Sequence, residues 1–99
     1  MSGPLDGRVL LVTGATGIAG AAIRLAAAQG AHVVAASLSE SELAALGATI
    51  AGLETVAGDL TDPAAAERAV RRAVDRFGRL DAVFNVAGLS GRAARRTSA

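Results

Sequence analysis

The sequence predicts an α/β fold, a partial doubly wound parallel sheet of about four strands in the order 3-2-1-4 with three helices. Two observations predict it. Short apolar runs alternate with stretches of helical periodicity along the chain, and glycine stands at nearly every switch between them. An alternation of this kind joins parallel strands through right-handed crossovers.

The elements run in order. Arg8 to Thr13 carries Val9-Leu10-Leu11-Val12, a continuous apolar run suited to a strand buried on both faces, and Gly14 closes it. From Gly17 to Gln29, the recurrence of Ile18, Ala22, Leu25 and Ala26 predicts a helix, with Gly30 just past its end. Ala31 to Ser37 is a second buried strand. Ser39 with Glu42 three residues on is a capping box, and Leu43, Leu46 and Ile50 mark a helical face that ends at Gly47 or at Gly52. Leu53 to Leu60 is a third strand. Asp62 as cap, Pro63 at the first helical position and Gly78 at the far end frame the last helix. Its predicted apolar face is Ala66, Val70, Ala73, Val74 and Phe77, opposite Glu67, Arg68, Arg71, Arg72, Asp75 and Arg76. Leu80 to Ala87 supplies the fourth strand.

Length and composition bound what such a chain does. Ninety-nine residues fit one small domain, expected over 1–91, followed by a basic, disordered tail over 92–99. At this mass folding leaves about 5,100 Å² of the roughly 14,000 Å² an extended chain exposes, enough for a thin core. With no Cys, disulfide scaffolds, thiolate metal sites and cysteine nucleophiles are excluded. All ten basic residues are Arg, which removes lysine chemistry, and the absence of Trp and Tyr argues against stacking on nucleic acid. The formal charge of +1 rests on Arg92, Arg95 and Arg96, since seven other Arg face nine acids. The beginning of the chain lacks a positive leader region and no apolar run reaches membrane-spanning length, so the expectation is a cytoplasmic protein with neither nucleic acid nor membrane as partner.

The chemistry-bearing residues sit where strands end. Thr13-Gly14-Ala15-Thr16-Gly17-Ile18-Ala19-Gly20 lies at the first strand-to-helix switch. Glycines there permit a tight turn, let a pyrophosphate approach the backbone and let the helix pack closely, while the helix opening attracts phosphate. A Walker-type loop is ruled out, because it needs Lys after its last glycine. At the end of the second strand, where dinucleotide folds place a ribose-binding acid, stands Ser37. It bonds the ribose of either NAD or NADP, or it only ends the strand and leads into the Ser39 cap. Asp59 and Asn85 end the third and fourth strands at the same edge, and for Asp59 the alternative is a turn residue ahead of the Asp62 cap.

These motifs together resemble the amino-terminal half of a short-chain dehydrogenase/reductase. The resemblance rests on the three glycines Gly14, Gly17 and Gly20, then Gly58-Asp59-Leu60-Thr61-Asp62, then Arg76-Phe77-Gly78-Arg79-Leu80-Asp81 leading to Asn85-Val86-Ala87-Gly88. It covers residues 7 to 91 and implies a Rossmann-like sheet that binds NAD or NADP. By this resemblance Gly14 to Gly20, with Thr13, Ala15, Thr16 and Ile18, hold the pyrophosphate. Asp59 and the Leu60 backbone hold the adenine, Ala87 and Gly88 lie beside the ribose and nicotinamide, and Asn85 steadies the central sheet. The glycine spacing resembles the extended members and the Asn-Val-Ala-Gly segment the shorter ones.

One departure bears on activity. In the family a Ser and a Tyr-x-x-x-Lys pair beyond the fourth strand carry catalysis, and this sequence contains neither Tyr nor Lys. Hydride transfer needs an acid for the developing alkoxide, so no catalytic residue and no metal ligand is assigned. Two other readings stand beside that of an oxidoreductase half. One is a non-catalytic dinucleotide-binding module. The other is an interaction protein whose uncovered fourth strand pairs with another chain, a second copy included.

Overall fold

The computed structural model describes residues 3–14, 17–59 and 61–86. They form β1 (Val9–Thr13), α1 (Gly17–Ala28), β2 (His32–Ser37), α2 (Glu40–Gly47), β3 (Glu54–Ala57), α3 (Pro63–Phe77) and β4 (Ala82–Asn85). The sheet is parallel throughout, in the order β3-β2-β1-β4. Its registers align Thr13 with Ala36 and with Asn85, and Ser37 with Ala57, so the carboxyl ends of all four strands finish at one edge. The Rossmann-like order expected from the alternation is the one observed. The expected tail over 92–99 and the boundary at 91 lie outside the described residues.

Two cores flank the sheet. On one face Ile23 and Ala26 of α1 and Leu43 and Leu46 of α2 pack on Val12, Val33 and Ala35. On the other, α3 places Ala69 and Ala73 against Val9, Leu11, Val34, Ala36 and Val56. Bulk is therefore unequally shared. The second core receives alanine methyls from its helix, while Phe77 and Leu80 cover it only in part. No described helix is long and apolar enough to cross a membrane.

The helix faces differ from the periodicity reading. In α1 the buried residues are Ala19, Gly20, Ile23 and Ala26, whereas Ile18 and Leu25 are exposed. In α3 they are Ala65, Ala69 and Ala73, and Val70 and Val74 stand out at 39% and 46% exposure. Close approach explains both cases. Small side chains let a helix sit near a sheet, so the row of smallest residues turns inward even where larger apolar ones lie beside it. The strands are also shorter than expected at β3 and β4, where pairing with a single neighbour ends at Ala57 and Asn85.

The caps follow the sequence more closely. α3 opens on Asp62, whose Oδ1 accepts from the Ala64 N–H at 3.1 Å, and closes at Gly78, whose N–H donates to the Val74 carbonyl at 2.8 Å. α2 opens on Ser39, whose Oγ accepts from the Glu42 N–H at 3.2 Å, and the helix stops at Gly47, the earlier of its two expected ends. The reciprocal half of the capping box is replaced. The Ser39 N–H donates instead to Ser37 Oγ at 3.2 Å.

Candidate functional site

Thr13, Ser37 and Asn85 are the last residues of β1, β2 and β4, and Asp59 lies two positions past the end of β3. With Gly14 they line one cleft of about 520 Å³, open at the carboxyl edge and running between α3 and β4. Its walls explain its position. Leu11, Ala69, Val70 and Val83 form the floor and sides, where the alanine-rich face of α3 leaves room that larger side chains would fill.

Gly14 makes the turn out of β1. Its φ of 109° lies in the region open to a residue without Cβ, and its N–H donates to the Ala36 carbonyl at 2.6 Å. The chain is thus still pinned to β2 as it leaves the sheet. Gly17 and Ile18 form the first turn of α1, Ile18 with 66% exposure, and Gly20 is buried against the sheet. Gly17, Ile18 and Gly20 do not line the cleft itself; they lie on the helix that comes after Gly14. Ala15, Thr16, Leu60, Ala87 and Gly88, the remaining expected site residues, lie outside the described residues.

Asp59 builds a local turn. Its Oδ1 accepts from the Thr61 hydroxyl at 2.6 Å and from the Thr61 N–H at 2.9 Å, and its carbonyl accepts from the Asp62 N–H at 2.9 Å. The Thr61 hydroxyl first, and then its N–H, hold the Asp59 carboxyl below the usual carboxylate range. An ionised carboxylate at a strand end is the outcome. Both side-chain bonds from Thr61 fall on Oδ1, and Oδ2 takes no part in them.

Ser37 does what the plainer of its two readings requires, since its Oγ accepts from Ser39 and so links the strand end to the α2 cap. That bond uses a lone pair and leaves the hydroxyl hydrogen available to donate. Thr13, buried to 6% exposure, donates its hydroxyl to Asn85 Oδ1 at 2.7 Å and so ties the ends of β1 and β4 together. Leu38, Gly58 and Thr61 also line the cleft, although sequence reasoning gave them no separate role. For Thr61 a signal existed. Asp-x-Thr before a helix cap is a side-chain turn pattern, in which the second hydroxyl and amide fold back on the carboxylate.

At the opposite edge a second polar knot holds β1 and β4 by their beginnings. Asp81 Oδ2 accepts from the Val9 N–H at 2.8 Å, and its Oδ1 accepts from Arg79 at 2.7 Å. The Asp81 N–H in turn donates to the Val9 carbonyl at 2.8 Å. The Arg79 guanidinium foremost, then the Val9 N–H, hold the Asp81 carboxyl below its ordinary range. Clamped at both ends, β4 keeps its register on β1.

Comparison with known proteins places this architecture. The profile of the short chain dehydrogenase family matches residues 8–98. A hexahydro-1H-indene-carboxyl-CoA reductase of Mycobacterium tuberculosis is 41% identical over 98 aligned positions, covering 90% of this chain and 37% of that protein. Short-chain dehydrogenase reductase 5 of Arabidopsis thaliana is 40% identical, covering 90% and 36%. Among solved structures, a short-chain dehydrogenase/reductase from Serratia marcescens superposes with a TM-score of 0.78 at 33% identity, over 83% of this chain and 36% of that one. A 3-ketoacyl-(acyl-carrier-protein) reductase from Brucella melitensis, solved in complex with NADH, superposes at 0.76 with 30% identity, over 80% and 33%. The chain thus spans about a third of the length of the relatives it matches. It belongs to the short-chain dehydrogenase/reductase family of oxidoreductases and carries the Rossmann-like sheet of that fold.

Proposed function

We propose that the chain binds NAD or NADP across the carboxyl edge of its sheet and that these residues bind the dinucleotide without transferring hydride. The observation that carries the binding half is the convergence of Gly14, Ser37, Asp59 and Asn85 on one cleft at the strand ends, the edge where open α/β sheets take their ligands. The likeness to a reductase solved with NADH supports the same ligand class.

Each residue then has a definite part. The backbone from Gly14 into the first turn of α1 offers N–H groups to the diphosphate, and the missing Cβ at Gly14 lets that group come close. The Ser37 hydroxyl donates to the adenosine ribose. The ionised Asp59, fixed by Thr61, accepts from the adenine amino group, and Leu38 covers the ring. The bound nucleotide supplies a hydride-carrying ring. Productive transfer also requires a proton donor near pH 7, and with no Tyr and no Lys these 99 residues do not contain the Tyr-x-x-x-Lys pair of the family.

Titration of NADH and NADPH fluorescence tests this reading. Saturable binding at or below millimolar concentration is expected for at least one of them, weakened about three- to tenfold by Asp59→Ala, the worth of one hydrogen bond. His32→Ala, at the opposite edge, leaves affinity unchanged. No response from either nucleotide up to millimolar concentration contradicts it.

A further inference from the structure

Around the end of β2 the two sides of the sheet differ in charge. Ser37 pairs in register with Ala57, and Ala57 packs on the core beneath α1 and α2, so the Ser37 side chain lies on that side and accepts there from the Ser39 N–H at the opening of α2. Gly58 turns the other way. A Cβ on it would meet Arg68 Nη2 at 3.0 Å and Ala65 Cβ at 3.3 Å, both on α3, which puts the Arg68 guanidinium across the sheet from Ser37. On the Ser37 side charges are few: α1 and α2 carry between them Arg24, Glu40 and Glu42. Arg24 donates to Thr49 at 3.2 Å, past the far end of α2, while both glutamates stand exposed in the first turn, close in sequence to Ser37.

We propose that the chain selects NAD(H) over NADP(H), and that it does so by repulsion, with Glu40 and Glu42 setting negative charge beside the place where the extra phosphate of NADP would lie. The inference rests on the nucleotide reading above and adds a choice between its two ligands. NADP differs from NAD by a 2′-phosphate on the adenosine ribose, which carries about 1.5 to 2 negative charges near neutral pH. Among the described residues no arginine stands on that side to receive it. Arg8 and Arg79 pair with Asp81, Arg72 and Arg76 with Glu54, and Arg71 with Glu67, all away from the end of β2. The opening of α2 is also partly used by its own side chains, since the Glu42 N–H donates to Ser39 Oγ and the Ser39 N–H to Ser37 Oγ.

Repulsion and hydrogen bonding leave different signatures. A carboxylate that accepts from the ribose hydroxyls favours NAD by attraction, so its removal weakens NADH. Ser37 holds that strand-end place here, and Glu40 and Glu42 act from the helix beside it by rejecting the wrong nucleotide. Their removal therefore improves NADPH and leaves NADH as it was. Because both carboxylates are exposed, their field reaches the phosphate through water and is screened by salt. The diphosphate is common to both nucleotides, so its own response to salt cancels in the ratio of their affinities.

The test is a pair of fluorescence titrations of the full chain, with NADH and with NADPH. In about 20 mM salt the dissociation constant for NADPH is expected to exceed that for NADH by about fivefold or more, and about 500 mM salt should narrow the ratio to about twofold. Glu40→Gln with Glu42→Gln should narrow it equally in low salt by tightening NADPH alone, with the melting temperature within a few degrees of the parent. Asp75→Asn, an exposed charge toward the far end of α3, should leave the ratio unchanged, and so should Arg68→Gln. Equal affinities, tighter NADPH, a double variant that weakens NADH, or a selective loss of NADPH on Arg68→Gln overturns the proposal. Binding of neither nucleotide overturns the reading beneath it as well, so the two failures are told apart.

Discussion

The hydroxyl of Thr13 donates to Oδ1 of Asn85 across 2.7 Å, joining the last residues of two neighbouring parallel strands at the mouth of the cleft. Thr13 is almost fully buried whereas Asn85 is exposed, so breaking this bond removes a tie between the two strand ends that water can replace only on the Asn85 side. Thr13→Val keeps the shape and removes the donor. The expected loss is about 1–2 kcal/mol of unfolding free energy, measured by urea denaturation. An unchanged midpoint would show that the bond is matched by water in the folded protein.

Stability should fall in acid through Asp81. The Arg79 and Val9 bonds depress its folded pKa, so its contribution is complete above the ordinary carboxylate range and is lost as pH falls through that range toward the depressed value. Asp81→Asn should therefore lower stability at neutral pH and flatten the acid limb of the stability curve. Thermal melts of both proteins between neutral pH and about pH 3 check this. Parallel curves would assign the acid sensitivity to other groups.

Two glycines should respond with opposite sign. Gly30 has a φ of 98°, and a Cβ there would stand 2.8 Å from Asp6 Cα. Gly30→Ala is expected to cost about 1–3 kcal/mol by adding backbone strain and overlap together. Gly47 sits in α2 without positive φ and with open space around it, so Gly47→Ala should add about 0.5–1 kcal/mol. Chemical denaturation of the pair decides whether the backbone is placed as described.

The packing of α3 can be tested by volume. Ala73 is fully buried against the sheet and does not line the cleft, and Ala73→Leu should destabilise by about 1–3 kcal/mol through overpacking. Val74→Lys, at a half-exposed position on the same helix, should change stability by less than about 0.5 kcal/mol. The reverse ranking would restore the face that periodicity alone suggests.

That contrast marks what was legible in the sequence. Strand order, helix caps and the strand-end cluster of Thr13, Gly14, Ser37, Asp59 and Asn85 could be read because each depends on local chemistry: apolar runs, a capping Asp or Ser, a glycine at a switch. Helix orientation depends instead on how near the helix comes to the sheet. Counting valines therefore rotated the α3 face: Ala73 and Phe77 lie on the core as expected, but Ala65 and Ala69 took the interior in place of Val70 and Val74. The Asp81 to Val9 clamp was equally hidden, since it joins residues 72 positions apart through a backbone N–H that no motif announces. At the site, the turn made by Asp59 and Thr61 was open to reading from Asp-x-Thr, whereas the cleft wall formed by Val70 and Val83 required the fold itself.

Amide chemical shifts on titration with NADH decide whether the nucleotide lies across the strand ends. Shifts are expected only at those ends and at the residues just beyond them, at 13–20, 37–38, 58–61 and 85–88, with His32, Gly52 and Asp81 unmoved. Shifts clustered at the opposite edge, or none at millimolar nucleotide, would contradict binding at the carboxyl edge.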